Sequence, residues 1–291
     1  MFNWLNSKGY YQGIVFLMLM MLVSCMNDVI TKLIGQRLHP LEMMFFRFFF
    51  NLITLLPFMV IEGRETLKTK MLGFNILRGI LGFIGFSLFI YSIVELKLVE
   101  VVTIFWTIPL FVLILASIYL REKVTLNRWI ATLIGFIGLS AITLIGADYT
   151  LEFRPIFIVP IVAAFVFAVQ DIMIKKMVSS ENRLTMLFYF AAVTTTLGII
   201  PAILVWKTPT CFELFMLFLI GAGGNLMQYL IFKAYNATDL SALSPFRYLE
   251  FCCTAAFGFV FFGEIPGMNV IIGAAILIPT TLYLTMNENK K

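Results

Sequence analysis

Ten apolar runs, each about as long as a bilayer-spanning helix, constrain this chain more than any other feature of its sequence. A transmembrane helix needs about 20 predominantly apolar residues. Five runs lie near residues 11–33, 40–61, 73–94, 98–120 and 126–146, and five more lie near residues 155–177, 184–206, 212–235, 240–262 and 266–286. The connections between them are short. The sequence therefore predicts an all-α integral membrane protein with ten transmembrane helices.

The composition agrees with this class of protein. The chain is 61% hydrophobic and 13% charged, with a mean hydropathy of +0.97, whereas soluble domains carry about 25% charged residues. The net charge of +5 is spread between the apolar runs, so we expect a lipid bilayer and no nucleic acid as a partner. The four cysteines and the single histidine lack metal-ligand spacing, and we expect neither a metal nor a cofactor.

The basic residues of the loops orient the bundle, because such residues concentrate on the cytoplasmic side of a membrane. With a cytoplasmic N-terminus, the opposite loops keep four of them: Arg37, Lys97, Arg154 and Lys207. No small-residue cleavage site follows the first run, so we expect a retained helix rather than a signal peptide. We predict a multi-pass protein of the bacterial inner membrane with both termini in the cytoplasm.

A polar motif occurs twice inside the apolar runs. Residues 27–32 and 170–175 each contain an amide, an aspartate and, four residues after the aspartate, a lysine. In the first copy these are Asn27, Asp28 and Lys32. On a helix, positions i and i+4 share a face, so each aspartate lies one turn from its lysine. Ionisable residues inside a membrane are costly and are functional candidates for that reason.

The repeat extends over both halves of the chain, 1–148 and 149–291. Glu122 and Glu264, for example, each follow an apolar run at corresponding positions. We expect them to set loop and interface geometry, bonding backbone amides of the next helix, rather than to bind a substrate. Because each half has an odd number of spans, the second half must enter the membrane from the opposite side. The result is a pair of inverted five-helix repeats, an arrangement common among secondary carriers.

The candidate substrate-binding residues share a position inside or at the end of an apolar run: Asn27, Asp28, Arg47, Tyr91, Phe105, Trp106, Gln170, Asp171, Asn225, Gln228, Tyr229, Arg247, Tyr248 and Glu250. The carboxylates suit a cationic or amino group, or a coupling proton. An arginine grips a carboxylate through its planar fork. Aromatic side chains beside acids suit a planar ring joined to a cation.

Structural roles compete with these functional ones. Asp28 and Asp171 are equally placed to pair with the lysines of their own motifs and neutralise charge. Arg47 is placed to pair with Asp28 or Glu42 and to hold the first two helices together. The aromatic candidates are also candidates for ordinary packing, since 15% of the chain is aromatic.

The candidates of the second half carry the same ambiguity. Arg247 and Glu250 lie three residues apart and are placed to neutralise each other. Asn225 and Gln228 suit either the polar edge of a substrate or the capping of an irregular helix. Motifs of hydrolytic enzymes are absent from the sequence, so we expect no catalytic residues.

Together these residues resemble the EamA-type branch of the drug/metabolite transporter superfamily over nearly the whole chain. The motif ending in Lys32, the arginine at Arg47 and the run from Pro109 to Glu122 carry the resemblance. The second half departs from it, because Phe251 occupies the position where the family pattern has a proline. This departure leaves the bend of the ninth helix in doubt, although Pro245 is placed to supply one a turn and a half earlier. In the fourth helix, we expect Pro109 to free a backbone carbonyl and bend the helix.

The resemblance implies a ten-helix carrier with a central site lined by the first, third, fourth, sixth, eighth and ninth helices. The aspartate before the lysine in both motifs is similar to a subgroup that includes S-adenosylmethionine uptake carriers. The leading hypothesis is therefore alternating-access transport of a small zwitterionic or cationic metabolite, with S-adenosylmethionine uptake or exchange first. The alternative is proton-coupled export of amino acids or toxic cations. Coupling to protons or a counter-substrate and the oligomeric state stay open.

Overall fold

The computed structural model describes residues 9–35, 37–146, 154–265 and 267–288. The helices of the first half are α1 (Tyr10–Ile34), α2 (Pro40–Glu62), α3 (Leu72–Glu95), α4 (Leu98–Phe105), α5 (Ile108–Tyr119) and α6 (Leu126–Gly146). Those of the second half are α7 (Ile158–Met177), α8 (Arg183–Leu204), α9 (Cys211–Ala237), α10 (Leu240–Leu243), α11 (Glu250–Phe262) and α12 (Met268–Glu288). These ranges contain no strand, and the prediction of an all-α fold is confirmed.

Eight helical segments within these ranges are long and apolar enough to cross a membrane. They correspond in order to the first eight predicted runs, and the chain is a multi-pass membrane protein. The ninth run is divided into α10, a 3₁₀ segment at Ser244–Leu249 and α11. The tenth run forms α12, in which Val270–Met286 is a shorter apolar helix.

Prolines account for the two interrupted runs. Pro109 stands in the first turn of α5, where its missing N–H is not needed, and α4 ends just before it at Phe105. In the ninth run, Pro245 stands at the start of the 3₁₀ segment. The doubt raised by Phe251 is thereby resolved, because Pro245 accompanies the change of helix type one and a half turns earlier.

Most helix packing joins the two halves rather than helices within one half. α1 packs on α9, α2 packs on α8 and α9, α3 packs on α7 and α8, and α6 packs on α12. Glycines allow several of these close approaches. A Cβ atom at Gly221 in α9 would lie 2.9 Å from the carbonyl carbon of Phe50 in α2. Because lipid offers no hydrophobic drive for association, such close contact contributes much of the packing energy.

The largest apolar cluster fills the end of the bundle where α1 begins and α5, α7 and α9 finish. We refer to it as the closed end, and its buried members include Leu17, Met21, Ala116, Met177, Phe232 and Leu243. Polar contacts reinforce it. The Glu122 carboxylate accepts hydrogen bonds from the backbone N–H groups of Leu240 (3.0 Å) and Ser241 (2.9 Å). The expectation that Glu122 bonds backbone amides is confirmed, but the amides belong to α10 in the opposite half and not to the next helix, α6.

The close contact at Gly221 generates a stability prediction. We expect Gly221→Ala to destabilise the protein by about 1–3 kcal/mol, because the added methyl group meets the α2 backbone and forces the helices apart. The measurement is the thermal unfolding of the detergent-solubilised protein. Gly73→Ala in α3 is the matched control, since a Cβ atom there meets nothing within 4 Å. Equal unfolding temperatures for the two variants would refute this account of the packing.

Candidate functional site

Two adjoining cavities contain most of the charged candidates. The Asp28 cavity has a volume of about 360 Å³ and is lined mainly by α1, α2 and α3. The Trp106 cavity has a volume of about 180 Å³, and its walls include Phe105, Trp106, Arg247 and Glu250. Phe89 of α3 lines both cavities, so they are neighbours. Phe89 is not among the site residues predicted from the sequence. It stands one turn before Ile93 in α3, and both residues line the Asp28 cavity.

Asp28 and Arg47 face the Asp28 cavity with their charges unpaired. Neither side chain makes a hydrogen bond or an ion pair with any described residue, and each acts electrostatically on the other. The Arg47 guanidinium lies 5.5 Å from the ring centre of Phe86. The cavity thus offers a carboxylate, which suits the ammonium group of an α-amino acid, and a guanidinium, which suits its carboxylate.

The proposed structural partners of these two residues are engaged elsewhere. Lys32 forms an ion pair with Glu264 instead of Asp28. Glu42 accepts a hydrogen bond from the backbone N–H of Lys207 at 3.2 Å, and no ion pair joins it to Arg47. The intrahelical pairing of Asp28 is therefore not formed.

Asp171 has a different environment from its repeat equivalent. It is buried, accepts a hydrogen bond from the Tyr235 hydroxyl at 2.9 Å and forms an ion pair with Arg247. Lys175 donates instead to the carbonyl groups of Tyr235 and Thr238, at 2.6 Å each. The charge of Asp171 is thus neutralised across helices, and Arg247 is held at the wall of the Trp106 cavity.

Glu250, the first residue of α11, is a second available carboxylate. It lines the Trp106 cavity, and its side chain makes no hydrogen bond or ion pair within the described ranges. It acts electrostatically on Asp28 and on Arg247. Of the two alternatives for Arg247 and Glu250, both residues line the cavity wall, and Arg247 forms its ion pair with Asp171 rather than with Glu250.

The aromatic candidates divide into walls and supports. Phe105 and Trp106 line the Trp106 cavity, and the Phe105 ring lies 4.9 Å from that of Phe89. Tyr248 is fully buried and supports the wall, because its hydroxyl donates to the backbone carbonyl of Trp106 at 3.1 Å. Tyr91 is 49% exposed and lines neither cavity.

The amide candidates do not line these two cavities. Asn27 is buried against α9, where it contacts Gly223 and donates to the Met227 sulfur at 3.3 Å. Gln170 is buried as well, and its Nε2 atom has no hydrogen-bond partner within the described ranges. Both amides are buried between helices and do not line the walls of the two cavities.

The α9 candidates lie around a separate cavity of about 520 Å³ between α2, α8 and α9. Asn225 and Tyr229 line it. The Asn225 amide donates at 2.7 Å to the Asn51 carbonyl and at 2.7 Å to the Thr54 hydroxyl, so its donors are occupied. These residues are not brought together with Asp28.

Arg78 is a buried charge that the sequence analysis did not rank as a site. Its guanidinium donates to the Met186 carbonyl at 3.0 Å and to Gln228 Oε1 at 3.2 Å. It also lies 4.5 Å from the ring centre of Phe190. Its position inside an apolar run was the available signal. These contacts connect α3 to α8 and α9. Gln228 therefore has a structural role as the hydrogen-bond acceptor of Arg78.

Comparisons with known proteins agree on one family. The model of the EamA-like transporter family matches residues 11–144 and 154–286. A protein of Rickettsia bellii named S-adenosylmethionine uptake transporter is 41% identical over 97% of this chain and 96% of its own length. The protein of that name from Rickettsia prowazekii is 39% identical over 97% and 95%.

Further matches are more distant. A riboflavin transporter of Vibrio cholerae serotype O1 is 33% identical over 82% of this chain and 80% of its own length. A solved structure described as "Crystal structure of protein" has a TM-score of 0.82, with 14% identity over 96% of this chain and 98% of that one. At that identity the likeness concerns the fold alone.

The contrast between the two aspartates generates a second prediction. Asp171→Asn should destabilise the protein by about 2–4 kcal/mol, because the largely buried Arg247 then loses its counter-ion. Asp28→Asn removes an unpaired charge and should leave the unfolding temperature nearly unchanged. Thermal unfolding of the purified variants in detergent measures both effects. Equal losses of stability would show that the two carboxylates have the same structural role.

Proposed function

Because this chain belongs to the EamA-like transporter family, we propose that it is a secondary carrier that takes up or exchanges S-adenosylmethionine. Membership in this family makes the protein a membrane transporter of a small metabolite and not an enzyme. The observation that carries the choice of substrate is the pair of unpaired charges, Asp28 and Arg47, beside an aromatic cavity. The names of the relatives from Rickettsia support the same choice.

The chemistry of the two cavities matches the two ends of this substrate. The amino-acid end presents an ammonium group to Asp28 and a carboxylate to Arg47, and charge-assisted hydrogen bonds of this kind are among the strongest in proteins. The adenine ring is planar and suits the walls formed by Phe89, Phe105 and Trp106. The sulfonium group joins the two ends and would lie between the cavities.

Other substrates fit less well. Riboflavin, named for a relative at 33% identity, has no amino-acid end and would leave Asp28 and Arg47 unmatched. An ordinary amino acid would engage both charges but would leave the Trp106 cavity unfilled. Proton-coupled export of amino acids or toxic cations therefore stays the second candidate, because it uses the Asp28 cavity alone.

We further propose the ten-helix architecture of inverted repeats, with halves 1–148 and 149–291. The packing supports it, because the main contacts between the halves have counterparts when the halves are exchanged. α1 on α9 corresponds to α7 on α3, α2 on α9 to α8 on α3, and α5 on α7 to α11 on α1. From the loop lysines and arginines, we propose an inner-membrane location with both termini in the cytoplasm.

The unequal ends of the bundle support transport by alternating access. The Asp28 cavity reaches Gly35 and Pro40, where α1 ends and α2 begins, while the closed end lies at the other side. In the proposed orientation the cavity faces outward, as uptake requires. The Glu122 carboxylate bonds the closed end to α10 in the other half. Its repeat equivalent Glu264 forms an ion pair with Lys32 and, among the described residues, makes no side-chain hydrogen bond to the backbone of the other half.

Transport in proteoliposomes tests the substrate. We expect saturable uptake of labelled S-adenosylmethionine, faster when the same compound is loaded inside. Arg47→Gln should lower the apparent affinity by about tenfold or more, since a charge-assisted contact to the carboxylate is lost. Arg121→Gln is the matched control, because Arg121 is exposed beyond α5. Absence of uptake by folded protein would reject this substrate and favour export, to be assayed with amino acids and a pH gradient.

The role of Glu122 in closure makes a separate prediction. In a variant whose four native cysteines are replaced by alanine, Leu243→Cys places a thiol in the closed end. Adding Glu122→Ala should raise its labelling rate with a polar maleimide by about tenfold, because the loss of two charge-assisted hydrogen bonds shifts the population toward the open state. Glu264→Ala is the control and should not raise labelling, because Glu264 makes no contact at the closed end within the described residues. Equal labelling rates with and without Glu122→Ala would show that Glu122 does not contribute to closure.

A further inference from the structure

The charges around the two cavities do not balance. The walls carry the carboxylates of Asp28 and Glu250 and the guanidinium groups of Arg47 and Arg247. Behind the wall, Asp171 already neutralises Arg247. If Asp28 and Arg47 bind the ammonium and carboxylate groups of an amino-acid end, one charge is left over. That charge is the carboxylate of Glu250.

We propose that Glu250 makes the carrier selective for a sulfonium over the neutral thioether that remains when the sulfonium loses its methyl group. This inference rests on the proposed function, because it assigns the third charge of the same substrate. S-Adenosylmethionine carries one net positive charge, whereas S-adenosylhomocysteine has the same adenosine and amino-acid ends and a neutral sulfur. The two molecules therefore differ mainly at the group that Glu250 would contact.

The surroundings of Glu250 strengthen its attraction for a cation. Phe89, Phe105 and Trp106 share the wall of the Trp106 cavity, and their ring faces are negative. The other residues that line the cavity include the apolar Val102 and Ile108. In an environment of low polarity a charge pair interacts more strongly than in water. A neutral thioether gains little from these groups.

A purely structural role would have a different signature. Glu250 begins α11, and a carboxylate in the first turn of a helix interacts favourably with the helix dipole. If Glu250 had only this structural role, removing its charge would affect the position of α11. The binding of both compounds would then weaken to a similar extent. The comparison of the sulfonium with the thioether separates the two roles.

The test is competition by unlabelled S-adenosylmethionine and S-adenosylhomocysteine against uptake of labelled S-adenosylmethionine in proteoliposomes. In Glu250→Gln we expect the affinity for S-adenosylmethionine to fall by about tenfold and that for S-adenosylhomocysteine to stay within about twofold. Glu250→Asp keeps the charge and should keep the preference for the sulfonium, which leaves the proposal testable if the amide variant folds poorly. Glu62→Gln, on the wall of the separate 520 Å³ cavity, should change neither affinity.

The outcomes distinguish this inference from the proposed function. Uptake by the unaltered protein, with a parallel loss of both affinities or of neither in Glu250→Gln, would overturn the role of Glu250 and leave the carrier function intact. Loss of the sulfonium preference in Glu250→Asp would also overturn it. Failure of the unaltered protein to take up S-adenosylmethionine would reject the proposed substrate, and the inference with it.

Discussion

A charged side chain inside an apolar helix bundle needs either a partner or a polar cavity, and this requirement organises the protein. The Arg78 guanidinium donates to a carbonyl and to an amide oxygen through its two terminal nitrogens, while its Nε has no partner in the described part of the chain. Asp171 is paired with Arg247 and accepts a hydrogen bond from Tyr235. Asp28, Arg47 and Glu250 instead face cavities without ionic partners among the described residues. Because removing a charge from water is costly, groups left in this condition are the ones available to a charged ligand.

The two copies of the polar motif show how equivalent sequences acquire different roles. In the register that pairs Glu122 with Glu264, the first half has Phe105 where the second half has Arg247. Asp28 consequently has no counterpart of the cation that neutralises Asp171. One repeat supplies an available carboxylate, and the other supplies a fixed ion pair that positions an arginine. The asymmetry lets a site formed by two similar halves bind a substrate whose ends differ.

Close packing and polar fastening act together at the closed end. The apolar cluster excludes water there, and the bonds from Glu122 to the start of α10 join the first half to the second. Since Glu264 makes no equivalent backbone bond in the described part of the chain, the two ends are held unequally. An exchange of these contacts between the ends is a simple physical route by which a carrier of two inverted repeats opens first to one side and then to the other.

The sequence by itself determined the membrane class, the helical segments, the interruptions at Pro109 and Pro245, and the candidate charges. These properties depend on local composition and on proline geometry, which are readable along the chain. Only the tertiary structure decided which charges are paired: Lys32 with Glu264 rather than Asp28, and Arg247 with Asp171 rather than Glu250. The tertiary structure also places Asn27 and Gln228 in contacts between helices rather than at the cavity walls. The physical reason is that helical periodicity identifies neighbours one turn apart, whereas partners on other helices depend on how each helix is rotated and packed.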